Sequence, residues 1–231
     1  MRIKQPEIIY EDEAIIVCRK EAGVAVQTAR AGQADMVSLL KNYRAKKKEE
    51  PYIGLIHRLD QPVEGVMVFA KTPQAAAKLS AQVNSRSMEK EYLAVTTGMP
   101  EPQKGELRDW LLRDGKVNTS AVVTEGTPQA KEAVLDYEVE QVSENGQQAL
   151  VHIWLHTGRH HQIRVQFAHA GYPLVGDTKY GKTDQNSRYC PVALCSCRIG
   201  FVHPVTKKKM EFVIEPKGKA FSRVAKHTKN V

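Results

Sequence analysis

The chain has 231 residues, of which 42% are hydrophobic and 26% charged, with a formal net charge of +8 and a pI of about 9.3. This composition excludes a mostly disordered chain, and no apolar run is long enough to span a bilayer. A basic balance suits a polyanionic partner such as RNA, although a basic protein that binds nothing anionic has the same composition.

The N-terminus and the cysteines indicate the compartment. The first residues have no continuous apolar stretch and no small-residue cleavage site, so we expect no signal peptide and a cytoplasmic location. The four cysteines, Cys18, Cys190, Cys195 and Cys197, are then expected to be reduced. The last three lie near His203, but their C-x4-C-x-C spacing lacks the paired C-x2-C of common zinc sites. We therefore expect no metal.

The first half of the chain predicts short strands and two helices. Residues 8–28 have the pattern of short strands broken by turns at residues 11–12 and 22–23. Asp35 is the predicted N-cap of a first helix, and a second helix is predicted over residues 73–86.

The segment between these helices predicts a loop that carries an acidic residue. An extended piece runs to Leu59, and a strand is predicted over residues 66–70. Pro62 biases the residue before it toward an extended backbone and cannot donate to a strand ladder. Asp60 is therefore expected at a strand end or in a loop.

The second half predicts mostly strands. Residues 90–97 have the alternation of a strand, and residues 105–157 predict strands and hairpins. Thr157 is the predicted cap of a helix that Gly171 closes. The last predicted elements are strands over 192–201 and 210–215 and a short helix near 218–226. Because strands outnumber helices and do not alternate regularly with them, the predicted class is α+β.

Three polar clusters hold candidate functional residues: residues 57–60, residues 90–92 and residues 157–164. By spacing alone, an Asp before a proline turn is also typical of a residue that caps the turn. Arg164 borders the apolar face of its helix, where an arginine needs an anionic partner, although an ordinary surface arginine has the same spacing.

The histidines and glycines of the chain favour no cofactor. His160 and His161 are adjacent and point in different directions, which is a poor arrangement for zinc. The sequence contains neither a G-x-x-x-x-G-K-[ST] loop nor a G-x-G-x-x-G motif, so we expect no nucleotide cofactor.

Motifs in these clusters resemble those of the RluA family of pseudouridine synthases. The segment HRLDQPVEGVMVFAKT is similar to the family's signature loop, and KEYLAVTTG to its tyrosine strand. The segment LHTGRHHQIRVQFAHAGYPLVGDTKYG resembles its basic motif with the trailing Gly-Asp-x-x-Tyr-Gly. The opening IIYEDEAIIVCRKEAGVAVQT and the late LCSCRIGFVHPVTKKKMEF resemble its first and last strands, so the likeness runs in order through nearly the whole chain.

The resemblance implies an activity and roles for individual residues. The family converts uridine to pseudouridine, breaking the N1–C1′ bond, rotating the base and rejoining it through C5, without metal or organic cofactor. It implies Asp60 as the nucleophile, Tyr92 as the residue that stacks on the base and assists proton removal, and Arg164 as the partner of Asp60. It also implies that Arg58 fills the space that the flipped base vacates. The other expected substrate-binding residues are His57, Arg159, His161 and Gln162.

The resemblance also implies a fold and a domain organisation. The expected fold has a mixed, mostly antiparallel central sheet, flanking helices and an active-site cleft. Because the catalytic pattern starts near residue 8, we expect a single catalytic domain over 1–231 without the S4 RNA-binding module of many relatives. We expect a monomer that acts on ribosomal or transfer RNA.

One departure and two alternatives remain at this level. The family usually has Thr-Ser before the glycine of the signature loop, whereas this chain has Val63-Glu64 before Gly65. A catalytically inactive RNA-binding protein of the same fold is one alternative, and an activity assay separates it. A metal-dependent hydrolase or nuclease is the other, and metal analysis of the purified protein separates it.

Overall fold

The structure is a computed structural model, and it describes residues 6–30, 32–181 and 191–225. The chain forms two compact units, one of residues 1–90 and 196–215 and the other of residues 91–195 and 216–231. In chain order the elements are β1 (Glu7–Glu11), β2 (Ile15–Lys20), α1 (Met36–Lys46), β3 (Gly54–Leu55), β4 (Glu64–Ala70), α2 (Pro73–Asn84), β5 (Glu89–Thr97), β6 (Lys104–Asp114), β7 (Thr119–Val123), β8 (Lys131–Val142), β9 (Gln148–Leu155), α3 (Gln162–His169), β10 (Leu194–Val202), β11 (Lys209–Val213) and α4 (Lys219–Ala225).

The first unit is built on the strand order β1-β2-β4-β10, with β3 paired to β4 and β11 to β10. Every residue of β2 and β4 is buried, as is typical of strands covered on both faces. Ile15 and Val17 of β2 pack with Val68 of β4, Leu79 of α2 and Ile199 of β10 in one apolar core. This core fixes the end of β2 against the start of β4, where Lys20 lies opposite Gly65.

Gly65 is required at that position by a close approach. A Cβ atom there would lie 2.5 Å from the Cβ of Ser196 and 2.8 Å from its backbone nitrogen. No side chain fits in that space, so a glycine lets the backbones approach at the start of β4.

The second unit has the antiparallel strand order β5-β9-β8-β6-β7. The helix α3 lies on this sheet, and its Phe167 ring meets that of Tyr137 edge-on at 5.6 Å. The amide of Gln166, which is fully buried, donates to the carbonyl oxygens of Leu107 at 3.1 Å and Ala133 at 3.2 Å. These bonds hold α3 on β6 and β8.

The structure confirms the α+β class and most of the predicted elements. Asp35 caps α1 by accepting a hydrogen bond from the backbone nitrogen of Ser38 at 2.8 Å. Gly171 follows the last helical turn of α3 with a φ of 91°, a conformation suited to glycine. None of the helices in the described ranges is long and apolar enough to cross a membrane.

The prediction that Thr157 caps α3 is wrong. The helix begins at Gln162, and the residue before it, His161, has a left-handed φ of 55°. The hydroxyl of Thr157 instead accepts from the backbone nitrogen of Val134 at 2.8 Å and donates to Oε1 of Gln162 at 2.8 Å. A contact with a neighbouring strand therefore replaces the local cap.

Candidate active site

The candidate site residues lie in both units. The first unit holds His57, Arg58 and Asp60, all between β3 and β4. The second unit holds Tyr92 on β5, and Arg159, His161, Gln162 and Arg164 at or just before α3.

Asp60 lies partly exposed in a turn that other backbone groups hold in place. Its carbonyl oxygen accepts a hydrogen bond from the nitrogen of Val63 at 3.1 Å. The carbonyl of Gln61 accepts from the nitrogen of Gly23 at 2.8 Å, and the Gln61 side chain donates back to the Gly23 carbonyl at 3.0 Å. The turn is thus tied to the loop that follows β2.

A buried lysine completes this turn. Lys20, at the end of β2, is fully buried, and its Nζ donates to the carbonyl oxygens of Glu21 at 3.1 Å, Val24 at 2.7 Å and Gln61 at 3.0 Å. An ammonium group has three donors and no acceptor, so these three carbonyls satisfy it. Lys20 therefore fixes the residue that directly follows Asp60.

Burial also sets the charge of Lys20. Desolvation lowers the pKa of Lys20 to about 7, although the negative charges of Asp60 and Glu64 oppose that shift. Below this pH the amine is positive and attracts both carboxylates.

The pKa of Lys20 predicts a pH dependence of stability. In the unfolded chain the pKa of this lysine is about 10.4, so between pH 7 and that value the unfolded chain binds more protons than the folded protein. The free energy of unfolding of the wild type, minus that of Lys20→Met, should then rise with pH by up to about 1.4 kcal/mol per unit. Urea denaturation of both proteins across this range measures the difference, and a constant difference contradicts the prediction.

Glu64, one of the two residues at which the signature loop differs from the family's usual sequence, has a charged partner on the neighbouring strand β2. Glu64 and Arg19 are both 6% exposed, and Nη1 of Arg19 lies 3.5 Å from Oε2 of Glu64. Nη2 of Arg19 also donates to the carbonyl oxygen of Glu215 at 3.0 Å. The carboxylate that replaces the family's usual small polar residue is thus paired rather than buried alone.

His57 and Arg58 point in opposite directions, as adjacent residues of an extended segment do. His57 is buried, and its Nε2 accepts from the backbone nitrogen of Val68 at 3.3 Å. Burial, with the charge of Lys90 adding to it, lowers the pKa of His57 to about 3, so the ring is neutral. Arg58 is exposed, with Nη2 3.5 Å from Oε1 of Gln27.

In the second unit, Arg164 forms a buried ion pair with Asp177. Nε donates to Oδ2 at 2.7 Å and Nη2 to Oδ1 at 2.8 Å, and the two side chains are 4% and 0% exposed. Burial alone would raise the pKa of Asp177, but the hydrogen bonds and charge of Arg164 outweigh it and lower the pKa. The two parallel bonds fix the plane of the guanidinium group.

Tyr180 joins this pair to His161. The Arg164 guanidinium lies 5.2 Å from the centre of the Tyr180 ring, within cation–π range. The Tyr180 oxygen accepts from the nitrogen of Ser120 at 2.8 Å and lies 2.6 Å from Nδ1 of His161. The ring of His161 stacks in turn on that of His160, with the centroids 3.7 Å apart.

Gln162 and Arg159 organise the loop before α3. Oε1 of Gln162, which is 3% exposed, accepts from the nitrogen of Arg159 at 3.0 Å, and its amide donates to the carbonyl of Val134 at 3.2 Å. Nε of Arg159 donates to the carbonyl of Glu132 at 2.7 Å.

Tyr92 is 6% exposed on β5. The roles of these residues toward RNA stay predictions.

Sequence reasoning missed three residues: Lys20, Asp177 and Tyr180. The only sequence signal for Lys20 was its position at the end of an apolar strand, which is a weak indication of a functional residue. The other two stand in the Gly-Asp-x-x-Tyr-Gly motif, which carried the resemblance without being assigned a role.

The metal prediction has a limited outcome. Across residues 6–30, 32–181 and 191–225, no three His, Cys, Asp or Glu side chains form a group that could hold a metal ion. Cys18, Cys195 and Cys197 are buried, and burial raises the pKa of the Cys18 thiol. Cys190 lies outside the described residues. That the protein needs no metal stays a prediction.

Comparison with known proteins decides the family. A family model described as RNA pseudouridylate synthase matches residues 14–169, more than half of the chain. The chain belongs to this family. It is 34% identical over 226 residues to the "Ribosomal large subunit pseudouridine synthase D" of Zymomonas mobilis, covering 90% of this chain and 68% of that protein.

The chain is also similar to other members of the pseudouridylate synthase family. The protein of the same name from Vibrio cholerae is 34% identical over 220 residues, covering 89% of this chain and 65% of its own length. The one from Pseudomonas aeruginosa is 37% identical over 183 residues, covering 76% and 53%. The chain thus spans about half to two thirds of the length of these relatives.

Solved structures support the same fold. "Human RNA Pseudouridylate Synthase Domain Containing 4" superposes with a TM-score of 0.74 at 25% identity, covering 91% of this chain and 89% of that one. "Human RNA Pseudouridylate Synthase Domain Containing 1" gives the same TM-score of 0.74 at 22% identity, covering 91% and 83%. The second likeness concerns the fold alone.

Proposed function

We propose that this chain isomerises uridine to pseudouridine in ribosomal RNA, with Asp60 as the nucleophile. Family membership and the names of the relatives support the reaction and the class of RNA. The observation that carries the assignment of Asp60 is its turn, in which Lys20 and Gly23 both bind the carbonyl of Gln61. A nucleophile gains from such rigid placement, because the geometry of attack is set before the substrate binds.

The other catalytic roles belong to the second unit. We assign to Tyr92 the stacking on the uracil ring and assistance in proton removal from C5, and to Arg164 the pairing with the Asp60 carboxylate. The bidentate contact with Asp177 supports the role of Arg164, because it orients the guanidinium group. Arg58 is exposed, as a residue that enters the RNA stack must be.

The remaining predicted residues divide by burial. His57, His161 and Gln162 are each at most 8% exposed. We therefore propose that they position the residues that contact RNA, with little direct contact of their own. Arg159 is more exposed, and we assign it a phosphate contact. We also propose that residues 1–231 act as one catalytic domain, as a cytoplasmic monomer without metal. Transfer RNA is the alternative substrate to ribosomal RNA.

A direct assay tests the reaction. Ribosomal RNA labelled with tritium at uridine C5 should release tritium to water when incubated with the purified protein, because isomerisation turns C5 into the glycosidic carbon. Comparing pseudouridines in ribosomal and transfer RNA from wild-type and deletion strains should then reveal the missing position. If neither RNA loses a pseudouridine and no tritium is released, the proposed function is wrong.

RNA binding should depend strongly on salt. The net charge of +8 favours contacts to phosphates, each of which releases counterions. Contacts to about four phosphates give a slope of log K against log[salt] of about −3. Filter binding between low and moderate salt measures it, and a flat dependence contradicts a phosphate-based mode of binding.

A further inference from the structure

A cleft of about 290 Å³ lies beside Asp60, wholly within the first unit. One wall, called the loop wall below, is formed by Ala25, Val26, Gln27, Thr28, Arg30 and Gln33. Arg58, Leu59 and Gln61 form the other. The direct neighbours of Asp60 on both sides, Leu59 and Gln61, therefore line the cleft. An occupant of the cleft would contact the residues on either side of the proposed nucleophile, although Asp60 itself does not line the cleft.

The loop wall is held in place by a buried carboxylate. Asp35 is 3% exposed, and its Oδ2 accepts from the nitrogen of Thr28 at 2.7 Å while Oδ1 accepts from the nitrogen of Ser38 at 2.8 Å. The nitrogen of Met36 also donates to the carbonyl of Ala25 at 2.9 Å. The residue that caps α1 thus ties the loop wall to the helix.

The opposite wall is fixed by the turn that holds Asp60. Gln61 exchanges hydrogen bonds with Gly23, its backbone carbonyl accepting and its side-chain amide donating. Arg58 reaches across to Gln27, with 3.5 Å between Nη2 and Oε1. Both walls are therefore positioned without a ligand, which lowers the entropic cost of binding one.

The lining has the chemistry of a nucleotide site. Arg30 and Arg58 bring two guanidinium groups, and Gln27 and Gln33 bring amides that both donate and accept. Val26 and Leu59 add a small apolar part to the lining, and both are largely buried. None of the described residues that line the cleft is acidic. Such a combination suits a phosphate together with the edge of a base.

We propose that this cleft binds the nucleotide adjacent to the target uridine in single-stranded RNA. In this assignment Arg30 contacts its phosphate and Gln33 the edge of its base. The cleft would thereby contribute to the choice of sequence around the modified position. The proposal rests on the proposed function, because it takes RNA as the substrate and Asp60 as the reacting residue.

A protein–RNA double-mutant cycle tests the base contact. Short RNA hairpins carry an abasic site on the 5′ or the 3′ side of the target. Gln33→Ala should raise the Kd for intact RNA by roughly fivefold to tenfold, the worth of one or two hydrogen bonds. The abasic site on one side should raise the wild-type Kd similarly but add nothing further in Gln33→Ala.

A parallel cycle tests the phosphate contact. Arg30→Gln should raise the Kd by roughly tenfold, and a neutral methylphosphonate linkage on the same side of the target should add nothing further to that variant. Arg86→Gln is the matched control, because Arg86 is also exposed in the first unit and does not line the cleft. That variant should add its effect to that of either RNA change.

Three results overturn the proposal. One is the absence of coupling at both flanking positions. Another is coupling in Arg86→Gln of the same size. The third is a fall of the single-turnover rate constant at saturating RNA in Arg30→Gln or Gln33→Ala with an unchanged Kd, which would place the reacting base itself in the cleft. Because the cycles measure binding, their outcome is independent of turnover, so a failure of the proposed isomerisation is recognised separately.

Discussion

Asp60→Asn should reduce tritium release from C5-labelled RNA to background, while the affinity for RNA stays within a few fold of the wild type. The substitution keeps the size of the side chain and removes the carboxylate that a covalent mechanism requires. Binding should survive, because one carboxylate contributes little to the affinity for a polyanion and can oppose it. Single-turnover tritium release and filter binding on the same RNA measure the two effects.

Tyr92→Phe provides the matched comparison for that experiment. Phenylalanine keeps an aromatic ring for stacking on uracil and lacks the hydroxyl, so this variant should also bind RNA and turn over poorly. Arg86→Gln, at an exposed position of the first unit, should leave the rate constant of turnover unchanged. Tritium release by Asp60→Asn at the wild-type rate would overturn the assignment of the nucleophile.

Asp177→Ala should lower the free energy of unfolding by about 3–5 kcal/mol and should also reduce turnover strongly. The substitution leaves Arg164, which is 3% exposed, without the carboxylate that accepts two of its hydrogen bonds. A buried charge without a partner destabilises the folded protein. A guanidinium group without its bidentate contact also no longer has a fixed orientation. Urea denaturation measures stability, and tritium release measures turnover.

A double variant separates stability from chemistry. Arg164→Met with Asp177→Leu replaces the ion pair by apolar side chains and should recover much of the stability that Asp177→Ala loses. Turnover should stay low in the double variant, because the cation proposed to pair with Asp60 is gone. Full activity in the stable double variant would show that Arg164 and Asp177 serve only the fold.

The sequence predicted the local structure of the site well, because short-range rules govern it. The proline two residues after Asp60 indicated a turn, and Asp60 lies in the turn before β4. Asp35 as a cap and Gly171 as a helix end followed from side-chain and backbone preferences that act over a few residues. The α+β class followed from the number and spacing of strands.

Where local rules compete with contacts from distant strands, the sequence was a weaker guide. Thr157 has the residue type of a helix cap, but Val134 of β8, 23 positions away, engages its hydroxyl instead. The N-terminus of α3 therefore shifts to Gln162, after His161 in a left-handed conformation. A threonine caps a helix only if its hydroxyl does not form a hydrogen bond with another part of the fold. The order of residues in the chain does not reveal such a distant contact.

The sequence by itself determined the family, the fold class and the identity of the candidate nucleophile, since ordered motifs and strand patterns are written in consecutive residues. Only the tertiary structure decided how those residues are held. Lys20 meets the carbonyl of Gln61 across 41 positions, and Arg164 meets Asp177 across 13. Buried charges find their partners by folding, because desolvation makes any unpaired arrangement costly, and no short sequence pattern records which partner lies within reach.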